Sequence, residues 1–161
     1  MHVVVVGCGR VGSEIAGSLH QQGHTVSIID KRKDSFRRLP KGFAGNRVVG
    51  FGFDRDTLRE AGIAEAGAMA SVTSGDNSNI MSARVARETF GVERVVARIY
   101  DPRRAAIYQR LGIPTVLGQA VRGIGLAAGP FVHSRLRAGL EAFEEGLLGP
   151  FARALAGPPS L

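Results

Sequence analysis

The sequence predicts an α/β fold, a parallel, doubly wound sheet followed by a C-terminal helical extension. Three observations carry that prediction. Short apolar runs alternate with helix-like segments through residue 118, several of those runs are apolar throughout, and a glycine closes each helical segment before the next run. Strands covered on both faces have no reason to alternate apolar with polar, and a repeating strand–helix order is what a parallel sheet requires.

The elements follow in order. Val3–Val6 is four valines in a row and runs into Gly7-Cys8-Gly9-Arg10-Val11-Gly12. Gly12–Gln22 reads as the first helix, and Thr25–Ile29 as the second strand, with Asp30 at its end. Arg47–Phe51, Ala68–Val72, Val95–Ile99 and Thr115–Leu117 complete the strands; Asp54–Ala61, Asp76–Phe90 and Pro102–Leu111 complete the helices. Within Asp76–Phe90, Ile80, Ala83, Val85, Ala86 and Phe90 recur near one face, while Arg84, Arg87 and Glu88 supply polar cover. Gly23, Gly62, Gly91 and Gly112 stand where those helices should stop. The organisation is therefore a nucleotide-binding type of domain over 1–118 and a Gly/Ala/Pro-rich tail over 119–161. In the tail, His133–Leu148 has a helical pattern through Leu136, Leu140, Phe143 and Leu147, which Pro150 ends. Such a helix docks on a partner subunit or covers its own sheet.

With 161 residues, 44% of them hydrophobic, the chain can bury one ordinary domain core. No apolar run approaches the eighteen or so residues a membrane span needs, which excludes a transmembrane reading. Met1–Val6 runs straight into a glycine turn and reads as a strand, not a secretory leader. A single cysteine, Cys8, forms no internal disulfide and fits a reducing cytoplasm. The formal net charge is +7. Most of the excess is local, in Lys31, Arg32, Lys33, Arg37, Arg38, Lys41 and Arg47 against Asp34. That stretch attracts anions, yet beyond Phe36 and Phe43 it carries no aromatic platform, so it reads as a solvated surface and not a specific nucleic-acid site.

The glycine loop carries the strongest local signal. It follows a strand and opens a helix, the setting in which G-x-G-x-x-G makes a Rossmann-like phosphate loop. Gly7 permits the tight turn, Gly9 lets a pyrophosphate approach the backbone, and Gly12 lets helix and strand pack closely. Val11 completes the loop, Arg10 offers a mobile positive charge, and the first helical N–H groups point at the phosphates. Cys8 reads as a small apolar filler. Asp30, 18 residues beyond Gly12, is placed to accept the ribose hydroxyls of an adenosine. A 2′-phosphate would be repelled there, so NAD(H) is expected over its phosphorylated form. Lys31 and Arg32 weaken that exclusion, and ATP or ADP offers the same free ribose. Asp54 is either the N-cap of its helix, with Thr57 behind it, or an acceptor near adenine; Phe53 lies against the base or in the core. Thr73-Ser74-Gly75-Asp76-Asn77-Ser78-Asn79 puts polar groups at the end of the fourth strand, with Asp76 as a helix cap and Thr73 and Ser74 near a ligand. Arg98 sits inside an otherwise apolar strand and needs an anionic partner, either the ligand phosphates or Asp101 or Asp76.

What is lacking bears on function. The dinucleotide half consumes the chain to about residue 118, leaving no second sheet for a substrate and no paired acid and base. No Cys/His metal spacing and no GxxxxGK[ST] string occurs. A binding module is the first reading, and a small NAD-dependent oxidoreductase the alternative.

These residues resemble the N-terminal regulator-of-K⁺-conductance domain (RCK, KTN or TrkA-N), most closely that of the peripheral Trk potassium-uptake proteins of high-GC Gram-positive bacteria. The resemblance covers about residues 1–118. It rests on the glycine loop, Asp30, Gly50-Phe51-Gly52-Phe53-Asp54, Leu58-Arg59-Glu60-Ala61-Gly62-Ile63, Thr73 through Asn79, Ala83-Arg84 and Val96-Ala97-Arg98-Ile99-Tyr100-Asp101-Pro102. It implies a cytoplasmic subunit at the inner face of the membrane that binds NAD(H), ATP or ADP. It implies a homodimer or higher ring that gates a membrane-embedded Trk potassium transporter without consuming the nucleotide. It further implies that Gly7, Gly9, Arg10, Gly12 and Arg98 hold phosphate, Asp30 the ribose, Asp54 the adenine region, and Thr73, Ser74, Asp76 and Asn79 the middle of the crevice. After Leu117 the resemblance fades. The second regulatory lobe usual in such proteins is not recognisable, which leaves room for a companion RCK protein.

Overall fold

The first strand explains the architecture. In the computed structural model of the protein, which describes residues 1–113 and 115–117, β1 is His2–Val6 and all four of its valines are buried. Successive side chains of a strand point to opposite faces, so a run of valines is stable only if both faces are covered. Val3 and Val5 pack with Ile15, Ala16 and Leu19 of α1 (Arg10–Gln21) and with Val26 and Ile28 of β2 (Thr25–Asp30). Val4 and Val6 pack on the other side, with Leu58 of α2 (Arg55–Glu60) and Ile80, Ala83 and Ala86 of α3 (Asp76–Phe90).

β3 (Asn46–Val49), β4 (Ala66–Ser71), β5 (Arg94–Ile99) and β6 (Thr115–Leu117) complete a six-stranded, wholly parallel sheet in the order β3-β2-β1-β4-β5-β6. α4 (Pro102–Arg110) links β5 to β6 and adds Ala105 to the α2–α3 side of the core. The doubly wound, Rossmann-like expectation is met. Strand order reverses between β1 and β4, and an open parallel sheet forms its ligand crevice at the carboxyl ends of the strands at such a point.

The element boundaries follow the sequence closely, and Gly23, Gly62, Gly91 and Gly112 all adopt positive φ at helix ends. Gly91 shows the mechanism, closing α3 at φ 69° while the next N–H, that of Val92, reaches back to the Ala86 carbonyl. Three details differ. β3 stops at Val49 instead of Phe51, because the chain turns there and the Asp54 N–H closes onto the Phe51 carbonyl at 3.0 Å. Lys33–Arg38 forms a 3₁₀ turn that the sequence pattern does not announce, since three of its six residues are cations and a fourth is acidic. A second short 3₁₀ turn, Ile63–Glu65, precedes β4. The tail over 119–161, with its helix expected over His133–Leu148, lies outside the described residues.

Candidate functional site

A cleft of about 950 Å³ opens over the carboxyl ends of the central strands. The loop after β1 forms its floor, and its three glycines are glycine for three different reasons. Gly7 has φ 100° and donates its N–H to Ile29 O at 2.7 Å; a side chain there would also meet the Thr73 backbone. At Gly12 a Cβ would overlap the Gly7 carbonyl, so this residue lets α1 start directly against the loop. At Gly9 a Cβ would meet no protein atom within 4 Å. Gly9 faces the cleft and is the N-cap of α1, where it brings no side chain to cap the helix start. The first turn of α1 also contains no acidic residue, so the helix itself places no negative charge against its positive dipole end beside the cleft. Arg10 and Val11 line the same floor.

Asp30 lines the cleft at the end of β2. Its Oδ2 accepts from the Cys8 N–H at 2.8 Å and its Oδ1 from the Arg32 N–H at 2.9 Å. These bonds hold the carboxylate still beside the glycine loop, and each oxygen retains a lone pair for a further donor. Cys8 is fully buried, and its thiol donates to Ser35 O at 3.3 Å. Burial first, and the neighbouring Asp30 charge second, push that thiol up to about 11. It is an inert filler, as expected, and not a nucleophile.

Not every expected residue reaches the cleft. Thr73 and Ser74 do, as does Phe53, whose ring stacks on Phe51 with centroids 5.2 Å apart and planes 24° from parallel. Asp54 is instead the N-cap of α2, accepting from the Thr57 N–H at 2.9 Å and the Thr57 hydroxyl at 2.8 Å. Those bonds hold its carboxyl below the usual carboxylate range. Asp76 is neither a cap nor a cleft residue. Gly75 occupies the N-cap position of α3, and the Asp76 carboxylate accepts from the Tyr100 and Asp101 N–H groups at 2.8 and 3.2 Å, fastening α3 to the end of β5. Asn79 is fully buried. Its Oδ1 accepts from the Thr73 N–H at 2.8 Å and from the Thr73 and Ser71 hydroxyls, while its Nδ2 donates to Thr73 O and, at 2.7 Å, to Arg98 O. It shapes the cleft from behind without facing it. Asp101 caps α4 by accepting from the Arg103 N–H. Arg98 lies over the Tyr100 ring, 4.4 Å from its centroid, and lines the cleft.

Sequence reasoning gave no individual ligand role to Arg38, Ser35, Ser82, Phe51 or Tyr100, all of which line the cleft. The Phe-Gly-Phe string was a usable signal for Phe51. Arg38 had only its place in the basic run, which did not separate it from its neighbours, because the 3₁₀ turn is what returns it to the cleft.

A glycine loop at the switch point of a parallel sheet, with an acidic residue ending the second strand, defines a Rossmann-type nucleotide-binding domain. The chain belongs to the TrkA-N domain family, whose model matches residues 3–119. It is 72% identical over 116 residues to a Streptomyces coelicolor protein described as "Trk system potassium uptake protein TrkA", an alignment covering 72% of this chain and 52% of that protein. The chain thus spans about half the length of that relative. Solved structures share the fold. The AMP-bound C-terminal domain of Kef from Shewanella denitrificans has TM-score 0.65 at 22% identity, over 96% of this chain and 99% of that one. The GsuK channel bound to NAD has TM-score 0.62 at 16% identity, over 76% of this chain and 22% of that one. The family relationship makes the domain a regulatory module homologous to potassium-uptake proteins, not an enzyme. Among the described residues, no helix is long and apolar enough to cross a membrane.

Proposed function

We propose that this chain acts as a cytoplasmic, peripheral regulatory subunit of a Trk-type potassium uptake system, sensing NAD(H) or the adenine nucleotides ATP and ADP in the cleft. The observation that carries the reading is Gly9. The fold itself has no need of a glycine there, whereas a pyrophosphate lying on the start of α1 does. In this reading the loop from Gly7 to Gly12 and Arg98 hold phosphate, Asp30 accepts the ribose hydroxyls, Thr73 and Ser74 border the middle of the ligand, and Phe53 flanks the base. The NAD in the GsuK structure and the AMP in the Kef structure support this ligand class. The nucleotide is not consumed. It stabilises one arrangement of a dimer or ring over another and so biases the membrane-embedded transporter, with a companion RCK protein able to supply a second lobe.

Titration of the purified chain with NAD⁺, NADH, ATP and ADP, following heat and oligomer size together, tests the proposal. Saturable, stoichiometric binding of at least one ligand with a change in assembly is expected. Flat titrations for all four overturn it. Steady turnover of nicotinamide absorbance with small alcohols or acids would favour an oxidoreductase instead.

A further inference from the structure

We propose that the ribose end of the cleft carries a second phosphate subsite, formed by Lys31, Arg32 and Arg38, for a nucleotide phosphorylated on the adenosine 2′-hydroxyl, the NADP(H) class. The proposal rests on reading the cleft as a nucleotide site with Asp30 at its ribose. It departs from the expectation that Asp30 turns such a ligand away.

The charges lining the cleft are lopsided. Among the described residues, Arg10, Lys31, Arg32, Arg38 and Arg98 face it, against one carboxylate, that of Asp30. They fall into two groups. Arg10 and Arg98, together with the start of α1, already match a pyrophosphate over the glycine loop. Lys31, Arg32 and Arg38 follow β2 and gather at the ribose end, where an unphosphorylated ribose offers them nothing to bind.

Asp30 does not answer those three cations. Its oxygens are turned to the backbone N–H groups of Cys8 and Arg32. Among the described residues, none of the ion pairs involves Lys31, Arg32 or Arg38. The 3₁₀ turn sorts two consecutive arginines. Arg37 pairs with Asp34 at 3.4 Å and stays in solvent, whereas Arg38 returns to the cleft. The Arg38 charge is felt at Cys8 in the loop, where it opposes the upward push on the thiol. Sites for the unphosphorylated dinucleotide end the second strand with an acid, and sites for the 2′-phosphorylated form place an arginine nearby. This chain has both. With two backbone donors drawing on its charge, Asp30 can accept the 3′-hydroxyl while the guanidinium groups, whose planar forks suit phosphate, take the 2′ group.

The test titrates the full chain with NAD⁺, NADP⁺, 5′-AMP, adenosine 2′,5′-bisphosphate and adenosine 3′,5′-bisphosphate by calorimetry. The same ligands are then applied to Arg32→Ala and Arg38→Ala, both exposed positions whose truncation leaves the core intact. NADP⁺ is expected to bind at least as tightly as NAD⁺, and the 2′,5′-bisphosphate more tightly than 5′-AMP. Each alanine is expected to weaken NADP⁺ about tenfold while changing NAD⁺ by less than about threefold. NAD⁺ binding with NADP⁺ at least about tenfold weaker overturns the subsite and leaves the nucleotide reading standing. Equal losses for both dinucleotides in the variants also overturn it, showing only a diffuse attractive field. So does indifference between the 2′,5′ and 3′,5′ isomers, which would indicate unspecific phosphate capture. Absence of binding by every ligand overturns the subsite and the nucleotide reading together.

Discussion

Gly9 and Gly12 belong to one loop and have opposite reasons for lacking a side chain. A Cβ at Gly12 collides with the Gly7 carbonyl, so Gly12→Ala should destabilise the fold by about 1–3 kcal/mol, read as a lowered urea midpoint. A Cβ at Gly9 meets only the open cleft, so Gly9→Val should leave the urea midpoint nearly unchanged and abolish nucleotide binding. A Gly9→Val chain that still binds at wild-type affinity would mean that phosphate does not lie on this loop. Asp30→Ala should weaken every adenosine ligand about tenfold or more through the lost ribose contacts. At Cys8 the buried thiol should resist alkylation at neutral pH until the chain unfolds. Its folded value, about 11, stands above the ordinary thiol value of 9.0, so the unfolded chain loses this proton first. Stability from this group is intact below about pH 9 and is lost as pH rises toward about 11, by roughly 2 kcal/mol. Cys8→Ala should flatten that part of the alkaline stability profile.

At the scale of elements, the cleft depends on joints between strand ends more than on the strands themselves. Asn79, on the first turns of α3, binds the end of β4 through Thr73 and the end of β5 through Arg98 O. Asp76 adds the loop that begins α4. Asn79→Ala would leave several buried groups without a partner, which should cost about 2–4 kcal/mol in denaturant unfolding and loosen nucleotide binding as well. Asp54 has a humbler role. As the cap of α2, its replacement by alanine should lower stability by about 1 kcal/mol while leaving nucleotide affinity unaltered, measured by paired unfolding and calorimetry. All three residues looked like ligand contacts because polar residues clustered at strand ends serve caps and cofactors alike.

At the scale of the molecule, β1 lies between β2 and β4, and the chain crosses to opposite sides of it. The two halves therefore meet along β1, and a ligand over the switch point touches both. Binding should accordingly stabilise the domain as a whole. At a free nucleotide concentration about a hundred times Kd, the native state should gain about 2.7 kcal/mol, visible as an upward shift in Tm of several degrees. A nucleotide that binds without raising Tm would place its site elsewhere.

Local patterning alone determined the sheet, its helices and the position of the glycine loop. Four consecutive valines demand cover on both faces, glycines stop helices wherever φ must turn positive, and G-x-G-x-x-G between a strand and a helix has few other uses. Asp30 was marked out in the same way, by its distance from the loop. Tertiary structure decided which polar residues face the cleft, because capping, bracing and ligand contact use the same side chains and differ only in what lies opposite. It placed Asp54, Asp76 and Asn79 in the framework. It also carried Arg38 back to the loop through a 3₁₀ turn of charged residues, whose sequence has no apolar period to declare that it is there.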